Sequence, residues 1–392
     1  MKSITIQDIK KGLPILLLWN PLVVLLIFNS YAIAISSSIF ILIATIFVQK
    51  YIKQEFVKVI LFNFLCIVSI IGYSEVVFTY IHKEKVIPNL YESRGKYYFN
   101  KPFLKDVFST SEFTSTYITN CQGYRIGKGV NPLTPINRCD ILFIGDSFTQ
   151  GAQVEYDEMF SSIIEDSVRN SKVVNAGISG AGIFDSYYYF IDEGYKLSPK
   201  YVVLQLCVFN DFFNVQPREI GFKEKLVEHS NLYRFLNYQI NHSNNLKIGR
   251  YTEPFFERED DNINYNILYK KSSDIKERDK SNLLKCLVAL NKAVKTIGGE
   301  LIVCLIPCKE QVSSKYLQEI LCNYHIKIED LDLQYPSKWF SEMTNQHNIK
   351  LVDLYEPFRN SEEFPYLTID EHLNNVGHRI VANSLIQTLN NK

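Results

Sequence analysis

The most informative stretch of this chain runs four large apolar residues straight into Gly-Asp-Ser. Here the run is Ile141-Leu142-Phe143-Ile144, followed by Gly145-Asp146-Ser147-Phe148-Thr149-Gln150-Gly151. A buried strand that ends in a glycine turn puts the serine hydroxyl at the carboxyl edge of a sheet, and open α/β folds place their chemistry at that edge. Gly, Asp and Ser are also ordinary turn and cap residues, so on its own the tripeptide reads as a helix cap.

Three later blocks change that balance. Val173-Val174-Asn175-Ala176-Gly177-Ile178-Ser179-Gly180 is a second short strand closing in a small-residue turn, and Tyr201 to Cys207 is a third, followed by Val208-Phe209-Asn210-Asp211. Near the C-terminus stands Ile369-Asp370-Glu371-His372-Leu373-Asn374-Asn375-Val376-Gly377-His378. In chain order these supply a serine hydroxyl, a glycine amide, an asparagine carboxamide and an Asp/His pair. Acyl transfer through serine needs that set of groups.

In this order the blocks resemble the SGNH (GDSL-type) hydrolase superfamily, named for its Ser, Gly, Asn and His, over roughly Asp140 to the C-terminus. The stretch Ile118-Thr119-Asn120-Cys121-Gln122-Gly123-Tyr124-Arg125 is similar to the lead-in of membrane-anchored bacterial members. The resemblance implies Ser147 as nucleophile, Gly180 as backbone oxyanion donor, Asn210 as side-chain oxyanion donor and His372 as general base. Most members carry the triad acid three residues before the histidine, where this chain has Ile369; Asp370, two before, is the best candidate, with a cap on the helix from Val376 to Asn390 as its structural alternative.

The residue types suit that chemistry independently. A serine hydroxyl is a poor nucleophile at neutral pH until a base removes its proton, and histidine titrates near that range. His372 takes the proton from Ser147 and returns it to the leaving group, while Asp370 holds the tautomer and stabilises the imidazolium. The amides of Ser147 and Gly180 and the Asn210 carboxamide stabilise the oxyanion. Asp146 and Asp211, beside these residues, read as turn or network groups, and His378 as a capping or packing residue.

The other histidines, His82, His229, His242, His325 and His347, show no metal-ligand spacing, and the eight cysteines contain no Cys-x-x-Cys pair, so neither a metal nor a cofactor is expected. Cys207, Cys304 and Cys308 read as small core residues at strand ends. Cys121 and Cys139 are spaced to close a short loop, though sequence does not decide pairing.

The N-terminal segment carries a second message. Residues Leu13 to Val48 are almost all apolar, and Val57 to Phe78 form another run long enough to cross a bilayer, which takes about 20 residues. The first run suits two spans with a hairpin turn at Asn29-Ser30, and Asn20-Pro21 makes a kink. Lys2, Lys10 and Lys11 precede it, and Lys50, Lys53 and Lys58 separate it from the last run. Three spans then satisfy the positive-inside rule and export everything after about Thr79; a single long first span would reverse that parity. No small-residue cleavage site follows the first apolar segment, so the expected anchor is uncleaved.

Lys plus Arg balance Asp plus Glu at 42 each, and no basic stripe with interleaved aromatics occurs, which argues against nucleic acid as a partner. No glycine-rich phosphate cradle follows the first strand, which removes a nucleotide-binding reading. Helices are predicted over Tyr156 to Asn170, Ile183 to Lys196 and Ser281 to Ile297, and strands over Leu301 to Ile306 and Lys350 to Leu354. Five short apolar strands with helices between them predict an α/β fold, a three-layer flavodoxin-like parallel sheet preceded by N-terminal transmembrane helices.

The expected organisation is a membrane anchor of about three helices over 1–80, a lead-in over 81–139 that packs on the catalytic domain, and an SGNH-like domain over 140–392 with an insertion near 215–280. That insertion, with its charge cluster Glu257-Arg258-Glu259-Asp260-Asp261, reads as solvated, a substrate lobe being the other view. The function expected is a membrane-anchored serine ester hydrolase or O-acyltransferase at the outer face of the cell membrane. The resemblance points to acyl, chiefly acetyl, esters of envelope polysaccharide as substrate. Three spans are too few to carry an acyl donor across, so a transferase needs a membrane partner besides its lipid surroundings. The rival reading is a catalytically silent carbohydrate-binding or assembly protein on the same fold.

Overall fold

The computed structural model describes residues 53–82, 89–168, 171–212, 215–245, 267–323 and 325–390, with Val86 and isolated positions between 36 and 51. Most of the first apolar run, including the hairpin turn expected at Asn29-Ser30, and the cluster Glu257 to Asp261 lie outside the described residues. Two compact units are present, one formed by Met1–Asn89 with Ile220–Gly249 and the other by Leu90–Glu219 with Arg250–Lys392.

The second unit begins with two antiparallel hairpins, β1 (Tyr91–Arg94) with β2 (Tyr97–Asn100) and β3 (Lys105–Ser109) with β4 (Thr114–Ile118). A parallel sheet follows, of β5 (Ile141–Ile144), β6 (Val173–Asn175), β7 (Tyr201–Cys207), β8 (Glu300–Ile306) and β9 (Lys350–Asp353), in the order β6-β5-β7-β8-β9. Side chains alternate across this sheet because a strand repeats every two residues. Leu142, Ile144, Val202, Leu204, Leu206, Val303 and Leu305 enter one core, and Ile141, Phe143, Val203, Cys207, Ile302, Cys304 and Ile306 enter the other.

Each core is closed by helices. Ile183–Asp192, Asp274–Thr296 and Tyr335–Gln346 cover the first face through Phe190, Leu287, Leu290 and Phe340; Phe160–Ser167 and Asn375–Asn390 cover the second through Phe160, Ile164, Val381 and Leu385. The three-layer flavodoxin-like fold expected from the strand pattern is the one observed. The strand order reverses beside β5, and the crevice at such a switch point is where open α/β sheets hold their ligands.

Helix bounds differ from the periodicity in three places. The helix expected over Ile183 to Lys196 ends at Asp192, and a 3-10 turn, Gly194–Leu197, follows it. The segment predicted as one helix from Tyr156 breaks at Met159, which is extended (ψ 142°) between a 3-10 turn at Tyr156–Glu158 and the helix Phe160–Ser167. The helix expected from Ser281 starts at Asp274, because Ser273 caps it by accepting a hydrogen bond from the Lys276 amide at 3.2 Å. Apart from Ile275 its first two turns are polar, so apolar spacing does not reveal them.

In the first unit, Glu55–Ile81 is long and apolar enough to cross a membrane, about 40 Å at 1.5 Å per residue. Phe56, Val59, Ile60, Ile67 and Ile70 are exposed along it. Glu75, near its end, is buried and accepts hydrogen bonds from Ser230 Oγ and the Asn231 amide, both at 2.6 Å, and from the Leu232 amide at 3.1 Å. It thereby caps the helix Asn231–Asn245, whose Phe235 stacks on Phe78 at 4.3 Å. Part of the segment expected to be a solvated insertion is thus tied to the apolar helix.

Candidate active site

The turn after β5 is built around Gly145 and Asp146. Gly145 has φ +153°, and a Cβ there would lie 2.5 Å from Thr149 Oγ1 and 2.8 Å from Gln205 Oε1, so a side chain would push the turn off the sheet. Asp146 caps the short helix Ser147–Gln150 by accepting from the Phe148 amide at 2.9 Å. Ser147 is then the first helical residue, and its N–H has no acceptor within the helix.

His372 Nε2 lies 2.7 Å from Ser147 Oγ, and His372 Nδ1 lies 2.5 Å from Asp370 Oδ1. The two-residue spacing works because Asp370 forms a tight turn, its Oδ1 also accepting from the His372 amide at 2.9 Å. Phe148 packs against the imidazole with ring centroids 4.9 Å apart. Burial opposes the charge of Asp370, but the hydrogen bonds and charge of His372 outweigh it and hold the carboxyl below its usual range. An ionised acid on Nδ1 leaves Nε2 as the acceptor for the serine proton.

Asn210, just past β7, donates from Nδ2 to Asp146 Oδ2 at 2.7 Å. This ties it to the residue preceding Ser147 and leaves its second Nδ2 hydrogen for a ligand. Burial raises the pKa of Asp146, and burial together with the Asp146 charge raises that of Asp211 well above the carboxylate range. Asp211 accepts from the Cys207 amide at 2.6 Å, so both acids act as local struts. His378 is buried, accepts from the Phe160 amide through Nδ1 at 3.3 Å and stacks on Phe160. Burial pushes its pKa down to about 3, so it is neutral at pH 7.

Gly180 has φ +71°, which favours glycine, and no atom stands within 4 Å of where its Cβ would be. It lines, with Asn210, a cleft of about 530 Å³ that also includes Asp185, Asp211, Gln216 and Arg218. Arg218 pairs with Asp185 at 3.4 Å, lies over the Tyr98 ring, and donates from Nη2 to the Gly180 carbonyl at 2.5 Å. The sequence contains Arg218 and Asp185 without any local signal marking them as cleft residues.

Arg125, the last residue of the lead-in block, is buried and donates to the carbonyls of Thr116 at 3.1 Å, Val154 at 2.7 Å and Gly151. It fixes the chain just beyond the Ser147 turn. Cys121 and Cys139 are both free thiols.

No protein-family model and no curated protein matches the chain. Solved structures similar to it include a lipolytic G-D-S-L family protein of Veillonella parvula at 15% identity, covering 64% of this chain and 98% of that one with a TM-score of 0.35. An acetyl xylan esterase, AlAXEase, is 17% identical over 64% of this chain and 98% of its own, TM-score 0.36. A catalytic mutant of an acetylxylan esterase of Geobacillus stearothermophilus is 14% identical over 68% and 97%, TM-score 0.36.

Proposed function

We propose that the protein is a membrane-anchored serine esterase that cleaves short acyl esters, acetyl above all, from a hydroxyl-rich molecule such as an envelope polysaccharide. The observation that carries this reading is the continuous Ser147–His372–Asp370 hydrogen-bond chain at the carboxyl edge of the sheet. Ser147 Oγ attacks the ester carbonyl as its proton passes to His372 Nε2. The oxyanion is held by the amides of Ser147 and Gly180 and by Asn210 Nδ2. Collapse breaks the bond to the alcohol, which leaves with the proton from His372, and an acyl-serine remains. Water, deprotonated by His372, attacks that ester, releases the carboxylic acid and restores Ser147.

The cleft beside Asn210 supports a polar alcohol as substrate. Asp185, Gln216, Arg218 and Glu219 line it alongside the apolar Ile183, Phe184 and Val215, so hydroxyl groups as well as a small acyl group find partners there. A sugar hydroxyl in place of water would make the same intermediate a transferase, which would draw its acyl group from a membrane partner. The lysine distribution around the apolar runs supports an extracytoplasmic catalytic unit.

The test uses the full chain in detergent micelles with an aryl acetate and with acetylated oligosaccharide, in the presence and absence of an unacetylated oligosaccharide. Free acetate as the main product in both conditions supports hydrolysis. Acetyl transfer to the added sugar as the main outcome would assign the transferase instead, and no turnover of either ester would remove the enzymatic reading.

A further inference from the structure

The catalytic acid sits in the loop from Leu367 to His372, and the side chains that hold this loop come from far away in the chain. Glu112, in the turn between β3 and β4, accepts backbone hydrogen bonds from Thr368 at 2.6 Å, Ile369 at 2.9 Å and Asp370 at 2.8 Å. Lys309 is buried and donates from Nζ to the Asp370 carbonyl at 2.6 Å, and Tyr316 donates its hydroxyl to the Thr368 carbonyl at 2.8 Å. The amide and carbonyl of Asp370 are therefore both held by side chains remote in the chain.

The same hairpin is fastened to the nucleophile's side of the site. On β4, Ser115 Oγ donates to the Ala152 carbonyl, the Thr116 amide and hydroxyl both reach Glu155 Oε1 at 3.3 Å, and the Thr116 carbonyl receives Arg125. Residues 151–155 directly follow the helix that begins with Ser147. The tip is itself fixed, since Thr110 Oγ1 accepts from the amides of Glu112 at 3.2 Å and Phe113 at 3.3 Å. One end of the hairpin grips the chain beyond Ser147 and the other grips the loop of Asp370 and His372.

Building on the esterase reading, we infer that the β3–β4 hairpin is a brace that sets the acid–base loop against the nucleophile, with Glu112 as its positioning residue. The brace accounts for the unusual spacing of the acid. An acid two residues before the base reaches Nδ1 only in a tight turn, and the amides of Thr368, Ile369 and Asp370 leading into that turn have no backbone acceptor among the described residues. A carboxylate satisfies all three at once. Burial works against its charge, yet the three amides and Lys309 keep Glu112 ionised below its usual range.

The test compares the full chain in micelles with Glu112→Ala, Glu112→Gln and, as a control one residue away in the same turn, Ser111→Ala. Alanine removes both acceptor oxygens and with them all three hydrogen bonds; glutamine keeps one oxygen and turns an NH2 group toward an amide donor. For aryl acetate the brace predicts kcat lowered about 10- to 100-fold in both Glu112 variants, the scale of a small misplacement of catalytic groups. KM should stay within about twofold, because the cleft is untouched. Amide hydrogen exchange in peptides covering 367–373 should quicken about tenfold or more while β7 and β8 keep wild-type protection, and Ser111→Ala should match wild type throughout. Wild-type exchange over 367–373 in the Glu112 variants, or kcat within twofold of wild type, would overturn the inference. If the wild type neither turns over ester nor labels with fluorophosphonate, the esterase reading fails, and the exchange comparison alone still decides the brace.

Discussion

Asn210 shows how a residue's structural and chemical roles separate. Its Nδ2 donates to the buried Asp146 carboxylate, and its Oδ1 has no hydrogen-bond partner among the described residues, so losing the side chain leaves one buried acceptor unpaired, at a cost of about 1–3 kcal/mol. Asn210→Ala should lower kcat about 100-fold or more, near 3 kcal/mol of lost oxyanion stabilisation, while the thermal midpoint falls by several degrees. The same drop in midpoint with unchanged kcat would reverse its assignment. His378 gives a pH prediction. Its folded pKa, about 3, lies below the unfolded value near 6.5, so its contribution is fully present above about 6.5 and is lost as pH falls toward 3. Between pH 7.5 and 5.0 that loss is about 2 kcal/mol. In His378→Phe the gap between thermal midpoints at those two pH values should shrink relative to wild type; an equal gap would mean His378 protonates in the folded protein.

Elements carried most of what could be read from the sequence. The strands β5, β7 and β8 announce themselves because they are buried on both faces and run almost wholly apolar, Gln205 in β7 and Glu300 at the start of β8 being the exceptions. The two lead-in hairpins do not, since β3, Lys105–Ser109, alternates exposed with half-buried residues and resembles a loop. Lys309 and Glu112 escape notice for a different reason: their partners are backbone groups brought close only by the fold. Ser147, Gly180, Asn210 and His372 are legible because each follows a strand end or sits in a compact block, whereas nothing local marks Arg218 or Arg125. At this scale Glu75→Ala removes the acceptor of the first two amides of the helix Asn231–Asn245, its share of a cap completed by Ser230 Oγ, which accepts from the Tyr233 amide at 3.0 Å, at a cost of about 1 kcal/mol. Limited proteolysis in micelles should then cut within 220–245 faster than in wild type; equal rates would mean the cap is dispensable.

For the whole molecule, two signals lie in separate parts of the chain: an apolar helix of membrane-crossing length and a serine–histidine–aspartate chain at the edge of a three-layer sheet. The anchoring reading predicts that the full chain stays with the membrane fraction after alkaline carbonate washing and is released only by detergent; release by carbonate would remove it. The central claim is that Ser147 is an activated nucleophile, and the full chain in micelles tests it directly with a fluorophosphonate probe and aryl acetate, wild type against Ser147→Ala. Labelling and acetate release in the wild type, both lost in the variant, are the predicted result. A folded wild type that neither labels nor releases acetate would contradict the account and leave the fold as a binding scaffold.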